Sequence, residues 1–209
     1  MDGTYFMKSI GLKRTVLALA LALAATAIVA TALLREQQAL SEKLIRLHVV
    51  ANSDSEADQA VKLQVRDAVL AVTQPLTAGE DPYGALAGAL PEIQQAAEDC
   101  LATLGVTDPV AVSLGPEEFP TRVYESFALP AGQYMSLRVT IGEGAGHNWW
   151  CVVFPTICFA ATASDLESAA VSGGFTDSEV RLITEDGGYR LKFKCMEWVE
   201  QLRQWLFAS

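Results

Sequence analysis

Thr15 to Leu34 is a run of 20 residues without a single charge, rich in Ala and Leu, and it constrains this chain more than any other stretch. At about 1.5 Å of helical rise per residue such a run spans roughly 30 Å, the thickness of a bilayer's hydrocarbon core. Lys8, Lys13 and Arg14 precede it and supply the positive flank that keeps an N-terminus in the cytosol. The pattern predicts a cytosolic flank at 1–14 and a transmembrane or signal segment at 15–34, with everything beyond it exported. Ala30-Thr31-Ala32 fits a small-residue cleavage site, whereas the apolar run continues to Leu34, so a cleaved signal and a retained anchor both remain open.

Charge sharpens the division. The net charge is -10, and the first 33 residues carry +2, from Lys8, Lys13 and Arg14 against Asp2, which leaves -12 on the rest. An acidic body disfavours nucleic acid and anionic membrane surfaces as partners. Export also changes how Cys100, Cys151, Cys158 and Cys195 are read, because an even cysteine count outside the cytosol points to disulfides. Cys151 and Cys158 are a possible pair. Extended, they would stand about 23 Å apart at 3.3 Å per residue, so a bridge requires a turn at Pro155-Thr156. Even a tight hairpin sets them diagonally, and buried free thiols remain the alternative.

In the exported body, Lys43 to Ala51 is a short apolar run with β-branched residues and reads as a strand. Ser53/Glu56 and Ser55/Asp58 stand in capping-box spacing and open a helix. Ala57, Val61, Val65, Ala68, Val69 and Val72 then recur on one helical face until Pro75, with Lys62, Gln64, Arg66 and Asp67 off that stripe. Asp81-Pro82 begins a second helical region in which Pro91 either kinks the helix or opens a new one, and Gly105 stops it. Met135, Leu137, Val139 and Ile141 alternate with polar residues, as in a half-buried strand, while Pro116, Pro120, Pro130 and Gly132 break the region before it into short pieces. These signals predict an α+β fold: an antiparallel or mixed sheet from 43–51, 109–114, 134–141 and 150–159, with helices 55–74 and 82–104 packed on one face. Residues 43–160 form the exported domain and 161–175 a linker. A C-terminal strand and amphipathic helix at 176–209 are expected to pack on the core.

Gly142 to Phe159, GEGAGHNWWCVVFPTICF, concentrates glycines, a histidine, paired tryptophans and two cysteines, and the glycine loop is expected to join two strands. Thiol catalysis is its sharpest enzymatic reading, with Cys151 as nucleophile, His147 as base and Glu143 orienting the ring. That reading makes the chain an extracytoplasmic thiol-dependent hydrolase or transferase at the cell envelope. Against it, Cys151 heads an apolar strand, where a thiol is usually packing. A calcium loop from Asp54 would need Gly and Glu where Gln59 and Val65 stand, and His48 and His147 lack a neighbouring cysteine pair for zinc. GEGAGH has neither the spacing of a dinucleotide loop nor the ending of a nucleotide loop. No residue is assigned a catalytic role, and no cofactor, metal or small-molecule substrate is called for.

Three blocks in order, IRLHVVANSDSEADQAVKLQVRDAVL from Ile45, FPTRVYESFALPAGQY from Phe119 and GEGAGHNWWCVVFPTICF from Gly142, resemble the stage II sporulation protein R family. The resemblance implies a protein made in the forespore and exported to the space between forespore and mother-cell membranes. There it would be required to activate a membrane-embedded aspartic protease that processes the mother-cell sigma-factor precursor. It implies no catalytic residues. A signalling ligand needs an exposed, preorganised epitope, since it activates a receptor only by binding the active state more tightly. Glu143, His147 and Asn148 with one of Trp149 and Trp150 are candidates, because alternation sends the two rings to opposite faces. Asn52 and Asp54, in the ANSDS turn, form a second candidate surface.

Overall fold

The computed structural model describes residues 3–124, 127–155 and 173–184. Helix α1 (Gly3–Glu42) leads into strand β1 (Ile45–Val50), then α2 (Glu56–Leu76), α3 (Pro82–Gly88) and α4 (Leu90–Thr103). Strands β2 (Val110–Phe119), β3 (Arg122–Val123), β4 (Ala128–Leu129), β5 (Gly132–Ile141) and β6 (Asn148–Phe154) follow, and then α5 (Asp177–Thr184). Four strands form one sheet in the order β2-β5-β1-β6, and β3 and β4 make a small hairpin. β1 runs parallel to β5 and antiparallel to β6, so the sheet is mixed and the fold is α+β.

β1 organises both cores because its side chains alternate. Ile45, Leu47 and Val49 join Val65, Val69, Ile93, Ala97 and Leu101 in the core beneath α2 and α4. Arg46 and His48 point to the other face, beside a second core that includes Leu40, Leu44, Phe119, Tyr134 and Val152. Ser55 caps α2 by accepting from the Asp58 amide at 3.1 Å. The helix runs one residue past Pro75, which near a C-terminus costs only a single backbone bond. Pro91 sits in the first turn of α4 and opens a separate helix, the second of the two readings its sequence allows.

Two expectations change. β2 continues through Gly115 and Pro116 to Phe119 instead of ending at 114. At the edge of the described sheet a proline need not donate to a ladder, so Pro116 is tolerated opposite Met135. Helix α1 does not stop with the apolar run: it continues to Glu42, and its last turns belong to the domain. Leu40 and Leu44 are fully buried, and Gln37 Nε2 donates to the Ala131 carbonyl at 2.5 Å. Among the described residues this is the one helix long and apolar enough to cross a membrane, and its apolar part is unburied, as in an anchor or a signal sequence.

Residues 173–175 close the expected linker, and the short helix α5 follows it. Glu179 pairs with Lys43 at 2.7 Å and Ile183 is buried in the second core, which ties α5 to the junction of α1 and β1. The strand at 189–193 and the helix at 196–206 lie outside the described residues, as does Cys158.

Candidate functional site

β5 and β6 are consecutive strands that flank β1, so the loop between them must cross the end of β1. That loop is Gly142–His147, and the segment leaving the end of β1 is ANSD, Ala51–Asp54. Two motifs some 90 residues apart therefore meet, and backbone bonds stitch them together. The Ala145 and Gly146 amides donate to the carbonyls of Asn52 and Ala51 at 3.1 and 2.9 Å. The Asn52 side-chain oxygen accepts from the Glu143 amide at 3.0 Å, and Asp54 Oδ1 accepts from the His147 amide at 2.6 Å. Asp54 also holds the His147 ring at Nδ1. What the sequence presents as two candidate surfaces is one composite rim.

The glycines have distinct reasons to be there. Gly142 and Gly144 adopt φ of 57° and 63°, the left-handed region that disfavours a side chain. Gly146 is needed for close approach, since a Cβ there would collide with the Ser53 carbonyl. Beneath the rim, Lys62 is buried and donates from Nζ to the His147 carbonyl at 2.9 Å and to Gln59 Oε1 at 2.6 Å. Burial pushes its ammonium below the ordinary value, with the charge of Asp54 opposing that shift. The hydrogen bond from His147 holds the Asp54 carboxyl below its usual range. Asp58, expected only as a capping residue, also accepts from Ser53 Oγ at 2.5 Å and so braces the turn.

Glu143, His147, Asn148 and Asp54 are exposed on this rim, while Asn52 is half-buried as its main brace. The tryptophans do point to opposite faces, but neither is exposed. Trp149 packs against the helix-side core under the Arg66 guanidinium, 4.5 Å from its ring centre. Trp150 lies on the other face between His48, stacked at 5.5 Å, and Arg122 at 3.6 Å. Each indole is thus roofed by a cation.

A second polar cluster stabilises the rim from the other side of the sheet. His48 places Nδ1 2.8 Å from Glu117 Oε1 and Nε2 2.8 Å from Asn148 Oδ1, while Arg138 donates to the same Glu117 oxygen at 2.6 Å. One residue from each of the four strands takes part, and the chain ends on Asn148 at the rim. Burial works to raise the Glu117 pKa, but the hydrogen bond with His48 and the charge of Arg138 hold it below the ordinary value.

The thiol reading loses its nucleophile. Cys151 is disulfide-bonded, with its partner outside the described residues, and its side chain lies in the helix-side core. His147 faces Asp54 instead. Cys100 is a free thiol whose pKa is raised, first by burial and then by Asp67, the opposite of an activated thiolate. Lys62, His48 and Glu117 carry no sequence signal for this site, because their partners lie up to 100 residues away.

Comparison with known proteins bears on both motifs at once. A family model described as Stage II sporulation protein R matches residues 41–164, a span that holds both halves of the rim. The chain is similar to the Stage II sporulation protein R of Bacillus subtilis (strain 168), at 30% identity over 185 residues covering 78% of this chain and 83% of that protein. No solved structure matches it.

Proposed function

The chain belongs to the stage II sporulation protein R family, and on that premise we propose that it is an exported signalling ligand whose contact surface is the rim formed by residues 52–54 and 142–148. Its receptor is the membrane-embedded aspartic protease of the mother cell, and binding drives processing of the sigma-factor precursor. The site of action is the space between forespore and mother-cell membranes. The observation that carries this reading is the convergence of the ANSD turn and the glycine loop on one braced, solvent-facing edge. Preorganisation of this kind lowers the ordering cost of binding, which is what an activating ligand requires.

The placement of α1 supports the same reading. Gln37 docks beside Gly132, at the start of β5, whereas the rim follows Ile141, at its end. Nine steps of about 3.3 Å put roughly 30 Å between those levels. The apolar run ends at Leu34, three residues before Gln37, or about 4.5 Å of helix. A retained helix then holds the base of the domain near its own bilayer and carries the rim away from it, toward a partner opposite.

The test replaces Asp54, Glu143 and His147 singly with Ala and follows sigma-precursor processing in sporulating cells alongside the level of the exported protein. Reduced processing at normal protein level is expected. Full processing in all three variants would remove the rim from the contact surface, and processing in a strain deleted for this chain would remove the signalling role itself.

A further inference from the structure

Arg46 is fully buried, yet among the described residues no carboxylate stands within ion-pair distance of it. Its Nη2 donates to Tyr124 Oη at 3.0 Å, and its guanidinium lies 4.0 Å from the Phe119 ring centre and 5.0 Å from that of Tyr134. Among the described residues Nε and Nη1 have no hydrogen-bond partner. Ring faces attract a cation, but they offer those two N–H groups no directed acceptor. A second guanidinium, Arg122, lies over Trp150, and among the described residues its buried Nε likewise has no hydrogen-bond partner. Tyr124 links Arg46 to Trp150, the residue that Arg122 covers, because its hydroxyl accepts from Arg46 and lies 3.4 Å from the Trp150 carbonyl.

Burying a guanidinium without a counter-charge is strongly unfavourable, and a second one close by makes it worse. The usual remedy for a buried charge is a paired opposite charge, and an acceptor at Nε would satisfy that orphan donor and offset the guanidinium's charge. We propose that Arg46 and Arg122 form a site for one small monovalent anion, of chloride or carboxylate size, on the face of the sheet opposite the helices. The anion accepts from Arg46 Nε and is approached from the side of Arg122, which is only half-buried. Net charge cannot gather an anion onto a body that carries -12, so local geometry must do so. The site would act as a structural staple joining β1 to the β3–β4 hairpin, which bears Arg122 and leads into Tyr124. It is independent of the receptor reading.

The test is the unfolding equilibrium of the full chain in lipid nanodiscs, measured by pulse proteolysis in urea. Chloride or acetate is exchanged for gluconate at constant ionic strength, since bulky gluconate is excluded from an enclosed site. Mass action for one site predicts that, above saturation, each tenfold rise in chloride raises the folded-to-unfolded ratio tenfold. Arg46→Met is expected to lose this dependence, and Arg122→Gln to need more chloride for the same gain. Should Arg46→Met fail to fold, crystals of the unmodified protein soaked in bromide give the answer. An anomalous peak within hydrogen-bond distance of Arg46 Nε supports the site. A chloride-independent equilibrium, or a carboxylate of the chain itself in that position, overturns it.

Discussion

Gly146→Ala is the substitution that interrogates the rim most sharply. A Cβ at Gly146 would lie closer than 3.0 Å to three heavy atoms, two of them in the Ser53 backbone carbonyl and the third Ala51 Cβ. Backbone atoms at the end of β1 cannot swing aside as a flexible side chain would, so the loop must lift. Lifting lengthens the Gly146–Ala51 and Ala145–Asn52 backbone bonds, each worth about 0.5–1.5 kcal/mol net. Overpacking adds about 1–3 kcal/mol, of which lifting relieves a part, so a loss of about 2–4 kcal/mol is expected. Pulse proteolysis across a urea series measures it, with Gly79→Ala as the control, since a Cβ at Gly79 meets nothing within 4 Å. The control should stay within about 0.5 kcal/mol of the parent, as surface changes usually do. If Gly146→Ala matches the control, the loop does not rest on the ANSD turn and the composite rim is wrong.

Three further outcomes follow from the same geometry. Leu40→Ala should cost about 2–5 kcal/mol in the same urea assay, because Leu40 is fully buried in the second core although it belongs to the helix that continues the apolar segment; a cost near zero would detach α1 from the domain. Asp54 titrates below its ordinary 3.8, so the stability it contributes is present above that value and lost as pH falls through the lower folded pKa. Carboxylate NMR should place its midpoint under 3.8, and His147→Ala should return it toward that value. Arg66→Ala should red-shift and quench part of the tryptophan emission by unroofing Trp149, whereas unchanged emission would mean the guanidinium does not cover that ring.

The helices and the alternating strand were legible because local pattern decides them: Ser55 caps where its spacing says, and Met135 to Ile141 alternate as a half-buried strand must. β2 misled because prolines end strands only where their N–H is needed, and Pro116 lies where it is not. The rim was half legible. Its residues drew attention separately, through glycine and turn chemistry, but their union depends on β1 lying between β5 and β6, and strand order leaves no mark in a single sequence. Lys62 reads as a solvated lysine off the apolar stripe and becomes a buried brace only because the His147 carbonyl arrives from 85 residues away. Alternation correctly sent Trp149 and Trp150 apart, yet their arginine roofs are tertiary contacts, and those overturn the expectation of an exposed ring.

Photo-crosslinking in sporulating cells tests the central claim most directly. A photoreactive residue replaces Glu143 on the rim or, as the control, Gln95 on the exposed side of α4, and the adducts are probed for the mother-cell membrane protease. The account predicts an adduct from position 143 and none from position 95. An adduct from 95 with none from 143 would contradict it.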